Sequence, residues 1–168
     1  MTQEAGPSGA GRPGPTGPSP DPHDRKAGAV SDARGPEILH LSLPVRDLAE
    51  AKRFYGGVLG CELGRVHDTW FDAFFFGCQL TLHERPDEVR PPREQGVRHF
   101  GVTLSHVRWR ELVARLRAEG VPFVREPAAD HVGTPREQHK AMVCDPSGNA
   151  IEVKTYTDPQ AAWSAEGK

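Results

Sequence analysis

The chain has 168 residues, 36% hydrophobic and 26% charged, with a formal net charge of −2 at pH 7. That length and apolar content allow one domain of ordinary size with a single core. The near-neutral balance without a basic cluster excludes a nucleic-acid surface, and no apolar run is long enough for a membrane span. The N-terminus has no apolar signal core. Cys61, Cys78 and Cys144 are odd in number, widely spaced and without a CxxC pair, which fits reduced thiols packed in the core of a cytoplasmic protein.

Residues 1–36 are of different composition from the rest, with seven glycines, seven prolines and no aromatic residue. Such a stretch buries too little surface to offset its ordering entropy, so it is expected to be a disordered tail. The folded part begins near Glu37. Leu39-His40-Leu41-Ser42-Leu43 alternates strictly in polarity, the pattern of a half-buried strand. Asp47 is a candidate N-cap for a helix whose apolar face is Leu48, Ala51, Phe54, Tyr55 and Val58. Gly60 can end that helix in a left-handed conformation. Strands are expected around Glu62–Val66, Trp70–Phe76 and Cys78–His83, and the charged, Pro-containing stretch 84–96 reads as a linker.

The order then repeats. His99 opens a second alternating strand, fifty-nine residues after His40. Ser105 or His106 starts a helix with Trp109, Leu112, Val113 and Leu116 on its buried face, and Gly120 stops it. A strand over Val121–Arg125, a long loop over Glu126–Lys140 and a strand over Ala141–Cys144 follow. Asp145-Pro146-Ser147-Gly148-Asn149 is a turn by residue type, leading into the strand Ala150–Tyr156; residues 158–168 form a C-terminal tail. Two copies of strand-helix-strand-strand-strand argue for a pseudo-symmetric α+β domain over 37–157.

Matching the copies pairs His40 with His99 and Gln79 with Glu152. The polar parity of the strands carries His40, Ser42, Gln79, Thr81, His83, His99, Thr103, Glu152, Lys154 and Tyr156, on what is expected to be one concave face. A solvated sheet face would also be polar, but imidazoles and a carboxylate at repeat-equivalent positions point to a metal site.

Over about residues 37–157 the chain resembles the vicinal oxygen chelate superfamily of glyoxalases, extradiol dioxygenases, fosfomycin-resistance enzymes and bleomycin-binding proteins. The resemblance rests on Ile38-Leu39-His40-Leu41-Ser42-Leu43-Pro44-Val45-Arg46-Asp47-Leu48, Phe54-Tyr55 with Leu59-Gly60, His99-Phe100-Gly101-Val102, and the run from Asp145 to Glu152. It implies two βαβββ modules forming a cup-shaped mixed sheet, with His40, His99 and Glu152 at metal-ligand positions. A glyoxalase I would carry glutamate where this chain has Gln79, so the resemblance favours the two-histidine-one-glutamate members. It also implies a homodimer that completes each cup across its interface.

The activity expected is that of a divalent-metal enzyme on a small oxygenated organic substrate, dioxygenase-like with Fe(II). Zinc, manganese or nickel suit the same donors. A glyoxalase-like lyase with Glu152 as proton-transfer base, and a metal-free antibiotic- or metabolite-binding protein, are the alternatives. Lys154, on the face of Glu152, could anchor an anionic substrate or place a proton, or form a rim salt bridge. Gln79, His83, Thr103, Tyr156 and Arg136 of the long loop are candidate substrate contacts.

Overall fold

A computed structural model describes residues 37–163, and the disordered-tail expectation for residues 1–36 lies outside the described residues. Eight strands form two four-stranded sheets, in the orders β1-β4-β3-β2 and β5-β8-β7-β6. The first module comprises β1 (Leu39–Val45), α1 (Leu48–Lys52), β2 (Glu62–Val66), β3 (Trp70–Phe75) and β4 (Cys78–Glu84). The second comprises β5 (Phe100–Thr103), α3 (His106–Ala118), β6 (Phe123–Asp130), β7 (Gln138–Cys144) and β8 (Ala150–Tyr156). Between them the linker forms a single helical turn, α2 (Pro92–Gln95), that starts on a proline. The fold is the expected pair of βαβββ modules.

In each module the first strand runs parallel to the last and pairs on one side alone. Pro44 is tolerated in β1 because that strand is an edge and its missing N–H costs no ladder bond. Both helices start where a side chain can accept from the free backbone donors. Asp47 accepts from the Glu50 amide at 2.7 Å, and Ser105 from the Arg108 amide at 3.4 Å. Gly60 and Gly120 follow the helices at φ +72° and +67°.

Three expectations need correction. The first helix is α-helical only to Lys52 and continues as a π-helical stretch over Arg53–Val58. The wider turn lets the adjacent rings of Phe54 and Tyr55 both enter the core, edge to face at 5.5 Å, and Gly56-Gly57 offers little resistance to it. Phe76 and Gly77 are not strand but the two-residue turn joining β3 to β4, both at positive φ. The long loop over 126–140 is instead mostly paired. Ala128 opposes Lys140 and Asp130 opposes Gln138, leaving a turn over 131–137. Register shifts around Pro127 absorb the residue that breaks the alternation, which hid the strand in the sequence.

The apolar faces of both sheets and both long helical segments share one core, including Leu80, Leu82, Phe71, Leu116, Ile151 and Val153. Phe75 of the first module meets Phe100 of the second at 5.4 Å, and the Trp109 indole donates to the Val153 carbonyl at 3.0 Å. The polar faces of both sheets therefore turn away from this common interior.

A buried polar clasp ties the modules together. Asp145, 4% exposed, accepts from the amides of Ser147 and Asn149, from the Asn149 side chain and from the Tyr55 hydroxyl at 3.0 Å. Asn149 also donates to the Pro44 carbonyl, and the Arg46 amide donates to the Ser147 hydroxyl. The turn between β7 and β8 thus grips the β1–α1 corner. Burial above all, with the Asp145 carboxylate beside it, holds the Tyr55 hydroxyl protonated well above its ordinary range. Tyr55→Phe is expected to destabilise the fold by about 1–3 kcal/mol, since one acceptor lobe of a buried carboxylate loses its donor. Urea-unfolding midpoints of the two proteins measure this.

A second buried carboxylate lies on the polar face of the first sheet. Asp72, 1% exposed, accepts from Thr81 at 2.7 Å, Arg65 at 2.8 Å and Gln79 at 3.1 Å. Burial alone would raise its pKa, but the hydrogen bonds from Thr81, Arg65 and Gln79 outweigh that and lower it. A carboxyl depressed in the folded state stabilises above its unfolded value, near 3.9, and loses that contribution as pH falls through the folded value. Asp72→Asn is therefore expected to be less stable than the parent at neutral pH, with the gap narrowing below about pH 4. Unfolding curves at the two pH values test the sign.

Candidate metal centre

Each module places one imidazole and one oxygen donor on its polar face. In the first sheet His40 and Gln79 are register partners on the adjacent strands β1 and β4. Leu41 and Leu43 face the core, so the alternation sends His40 and Ser42 to the other side. The Ser42 hydroxyl lies 3.2 Å from His40 Nε2. Asp72 can only accept, so the nitrogen of the Gln79 amide faces it and the amide oxygen is left for another partner.

In the second sheet Gly101 opposes Glu152 across the parallel pair β5–β8. A Cβ at position 101 would collide with the Glu152 carbonyl oxygen, so glycine is what lets the strands approach here. His99 lies one residue before β5 rather than inside it, because the chain turns there. Its Nδ1 sits 2.8 Å from the Val97 carbonyl. A carbonyl can only accept, so Nδ1 donates to it, and Nε2 is the ring nitrogen left for a metal. His99, Thr103, Glu152 and Lys154 line one cavity of about 180 Å³. His99 also lines a wider cleft of about 490 Å³ with Leu41, Leu43, Phe100, Arg90 and Arg98.

The remaining candidates fall around these two pairs. Lys154 Nζ lies 3.7 Å from Glu152 Oε2 and 6.0 Å from the Tyr156 ring. Thr103 is the register partner of Lys154. His83 opposes Trp70, with ring centroids 6.4 Å apart. Arg136 sits in the exposed turn between β6 and β7, on the end of the sheet where Gln138 pairs with Tyr156.

The structure brings His40 to Gln79 and His99 to Glu152, but keeps the two pairs on different sheets. Among the described residues no three His, Cys, Asp or Glu side chains are placed to hold a metal within one chain. The donor chemistry itself fits a divalent metal: two imidazoles, one with its tautomer set by the backbone, one carboxylate and one amide oxygen.

Sequence reasoning missed four residues of these faces. Asp72 and Trp70 sit in the aromatic run Trp70-Phe71-Asp72-Ala73-Phe74-Phe75, whose alternation is masked by apolar residues on both parities. Arg65 reaches Asp72 and lies 5.4 Å over the Trp70 ring, and Trp70 stacks on His67 at 5.6 Å. Lys140 falls at the end of the stretch that the sequence reads as a loop, but lies in β7. An antiparallel register for β3–β4 and β6–β7 would have found all but Arg65.

Comparison with known proteins agrees with this architecture. Residues 37–153 match the model of the Glyoxalase/Bleomycin resistance protein/Dioxygenase superfamily. A glyoxalase/bleomycin resistance protein/dioxygenase from Alicyclobacillus acidocaldarius is 34% identical, with a TM-score of 0.67 over 74% of this chain and 95% of its own. A virulence protein of Salmonella typhimurium is 28% identical over 124 residues, 71% of this chain and 83% of that protein. A genomically encoded fosfomycin resistance protein from Listeria monocytogenes, 16% identical, shares the fold with a TM-score of 0.58 over 72% of this chain and 93% of its own. No helix among the described residues is long and apolar enough to cross a membrane. Family model, module repeat and strand register agree, and the chain belongs to the glyoxalase/bleomycin resistance protein/dioxygenase superfamily.

Proposed function

We propose that the protein is a divalent-metal-dependent enzyme acting on a small oxygenated organic substrate, dioxygenase-like, with His40, His99 and Glu152 as metal ligands. The observation that carries this reading is the repetition of an imidazole–oxygen pair, His40 with Gln79 and His99 with Glu152, on the polar face of each sheet. The two pairs meet when the first-module face of one copy joins the second-module face of another, so a homodimer belongs to the proposal. The unpaired β1 edge supports it, with Ile38 and Leu39 52% and 73% exposed beside it.

Fe(II) in this donor set supplies oxygen chemistry, whereas zinc, manganese or nickel supplies Lewis-acid polarisation. The protein's own groups do the rest. The Val97 carbonyl keeps the His99 proton on Nδ1, and Asp72 holds the Gln79 amide with its oxygen available. Glu152 serves as ligand, and in the lyase reading also as proton acceptor; Thr103 and Lys154 line the same cavity and orient polar substrate groups. His83 and Tyr156 lie farther along the strands and Arg136 in the turn between β6 and β7, where they would contact only distal parts of a substrate.

A glyoxalase-like lyase is the second reading, favoured by the orientation of Gln79, which offers a fourth donor. Elemental analysis of protein purified without added metal or chelator is expected to give about one equivalent of iron per chain. His99→Ala is expected to lose that metal while keeping its circular dichroism spectrum, and stoichiometric metal retained in the variant would overturn the ligand assignment. Substrate-dependent oxygen uptake supports the dioxygenase branch, and turnover under strict anaerobiosis selects the lyase. A protein that takes up no metal on reconstitution leaves a ligand-binding module.

A further inference from the structure

The polar face of the second sheet carries more positive charge than a rim salt bridge explains. Lys140 on β7 and Lys154 on β8 are direct register partners, which in an antiparallel pair sets their Cα atoms about 4.5–5.5 Å apart. Like charges placed directly opposite one another destabilise a sheet. Neither is a freely solvated surface lysine, their side chains being 20% and 32% exposed. Each leans on a carboxylate: Lys140 on Asp130 at 3.2 Å and Lys154 on Glu152 at 3.7 Å. Arg125, opposite Met142 on the neighbouring strand, reaches both oxygens of Asp130 at 2.8 and 2.9 Å. Three cations thus face two carboxylates, and the cavity of about 180 Å³ that holds His99 and Glu152 opens beside Lys154.

We propose that Lys140 and Lys154 form an oxyanion seat beside Glu152, and that the substrate carries an anionic oxygen group, carboxylate or phosphoryl, besides the oxygens it offers the metal. This rests on the reading of His99 and Glu152 as metal ligands. Glu152 cannot give its carboxylate fully to a divalent cation and to Lys154 at once. Ligation of a metal draws charge from the carboxylate, so it weakens the hold of Glu152 Oε2 on Lys154 and adds positive charge next to the ammonium. Lys140 stays positioned by Asp130, which Arg125 shares, so Asp130 does not neutralise it alone. The seat is closed by a salt bridge in the metal-free protein and opens when the metal takes Glu152, coupling anion binding to metal loading. Two ammonium groups on adjacent strands suit a single oxyanion, which each can reach with a charge-assisted hydrogen bond.

Glu152→Gln mimics the release without any metal. In the metal-free full-length chain this variant is expected to bind inorganic phosphate or malonate at least about tenfold more tightly than the parent by calorimetric titration, with affinity falling as salt rises. Adding Lys140→Met to that background should cost about threefold, and adding Lys154→Met as well should abolish the gain, with circular dichroism verifying the fold of each variant. Preference for phosphate over malonate identifies a phosphoryl group, and the reverse a carboxylate. No gain in Glu152→Gln, or a gain that survives removal of both lysines, overturns the seat. Because no metal enters this titration, its result stands whether or not the ligand assignment does. Zinc titration of Lys154→Met then tests the coupling: affinity should rise several-fold once the competitor for Glu152 is gone, and unchanged or weaker binding overturns the exchange.

Discussion

Asp145 is the group on which the two-module arrangement depends. Burying a carboxylate is costly unless its lone pairs are filled, and this one is filled from two sides: Ser147 and Asn149 of its own turn, and Tyr55 of the other module. The competition is visible in its pKa, raised by burial despite those hydrogen bonds. The same turn contributes Ser147 to the Arg46 amide and Asn149 to the Pro44 carbonyl. The segment leading into β8, and so to Glu152, is therefore fixed against the segment leaving β1, and so against His40. Strand ends that carry donors in different modules are referenced to one buried cluster.

That clasp also explains why the donor pairs stay apart within a chain. The apolar faces pack together at Phe75–Phe100 and around the helices, leaving the polar faces outward and the first strand of each sheet paired on one side alone. Each face is prepared independently. Asp72 anchors Gln79 in one, and Gly101 with the Val97 carbonyl sets Glu152 and His99 in the other. The proposed donor set is complete only where a first-module face meets a second-module face, which is why the proposal includes a second copy of the chain.

Most of the fold was legible because local signals agreed with one another. Alternation marked β1 and β8, capping residues Asp47 and Ser105 marked both helix starts, and Gly60 and Gly120 marked both ends at positive φ. Only the outer ends of the β6–β7 hairpin were legible, as strands over Val121–Arg125 and Ala141–Cys144; Pro127 and its neighbouring alanines carry no strand signal, and the pairing there comes from tertiary register with bulges. The imidazole–oxygen pairs followed from parity and the repeat. Their supports did not, since the partner of Gln79 is a carboxylate inside an aromatic run, and Lys140 shares a face with Glu152 only through β7. What a residue touches across a sheet depends on register, which composition does not encode.

Charge accounting links these features to chemistry. With glutamate at position 79, two imidazoles and two carboxylates would neutralise a divalent ion; with glutamine the same set leaves it one positive charge in excess. Asp72 reinforces that choice, because a second carboxylate at position 79 would face it on the same side of the sheet, whereas an amide donates to it. Lys154 beside Glu152 and Lys140 opposite Lys154 add further positive charge. A proposed centre of that balance would bind an anionic oxygen ligand more strongly than a neutral one, because opposite charges at close range attract. Glutamine at 79, carboxylate at 72 and the cross-strand lysines, on the polar faces of different sheets, are thus all consistent with the anionic substrate proposed.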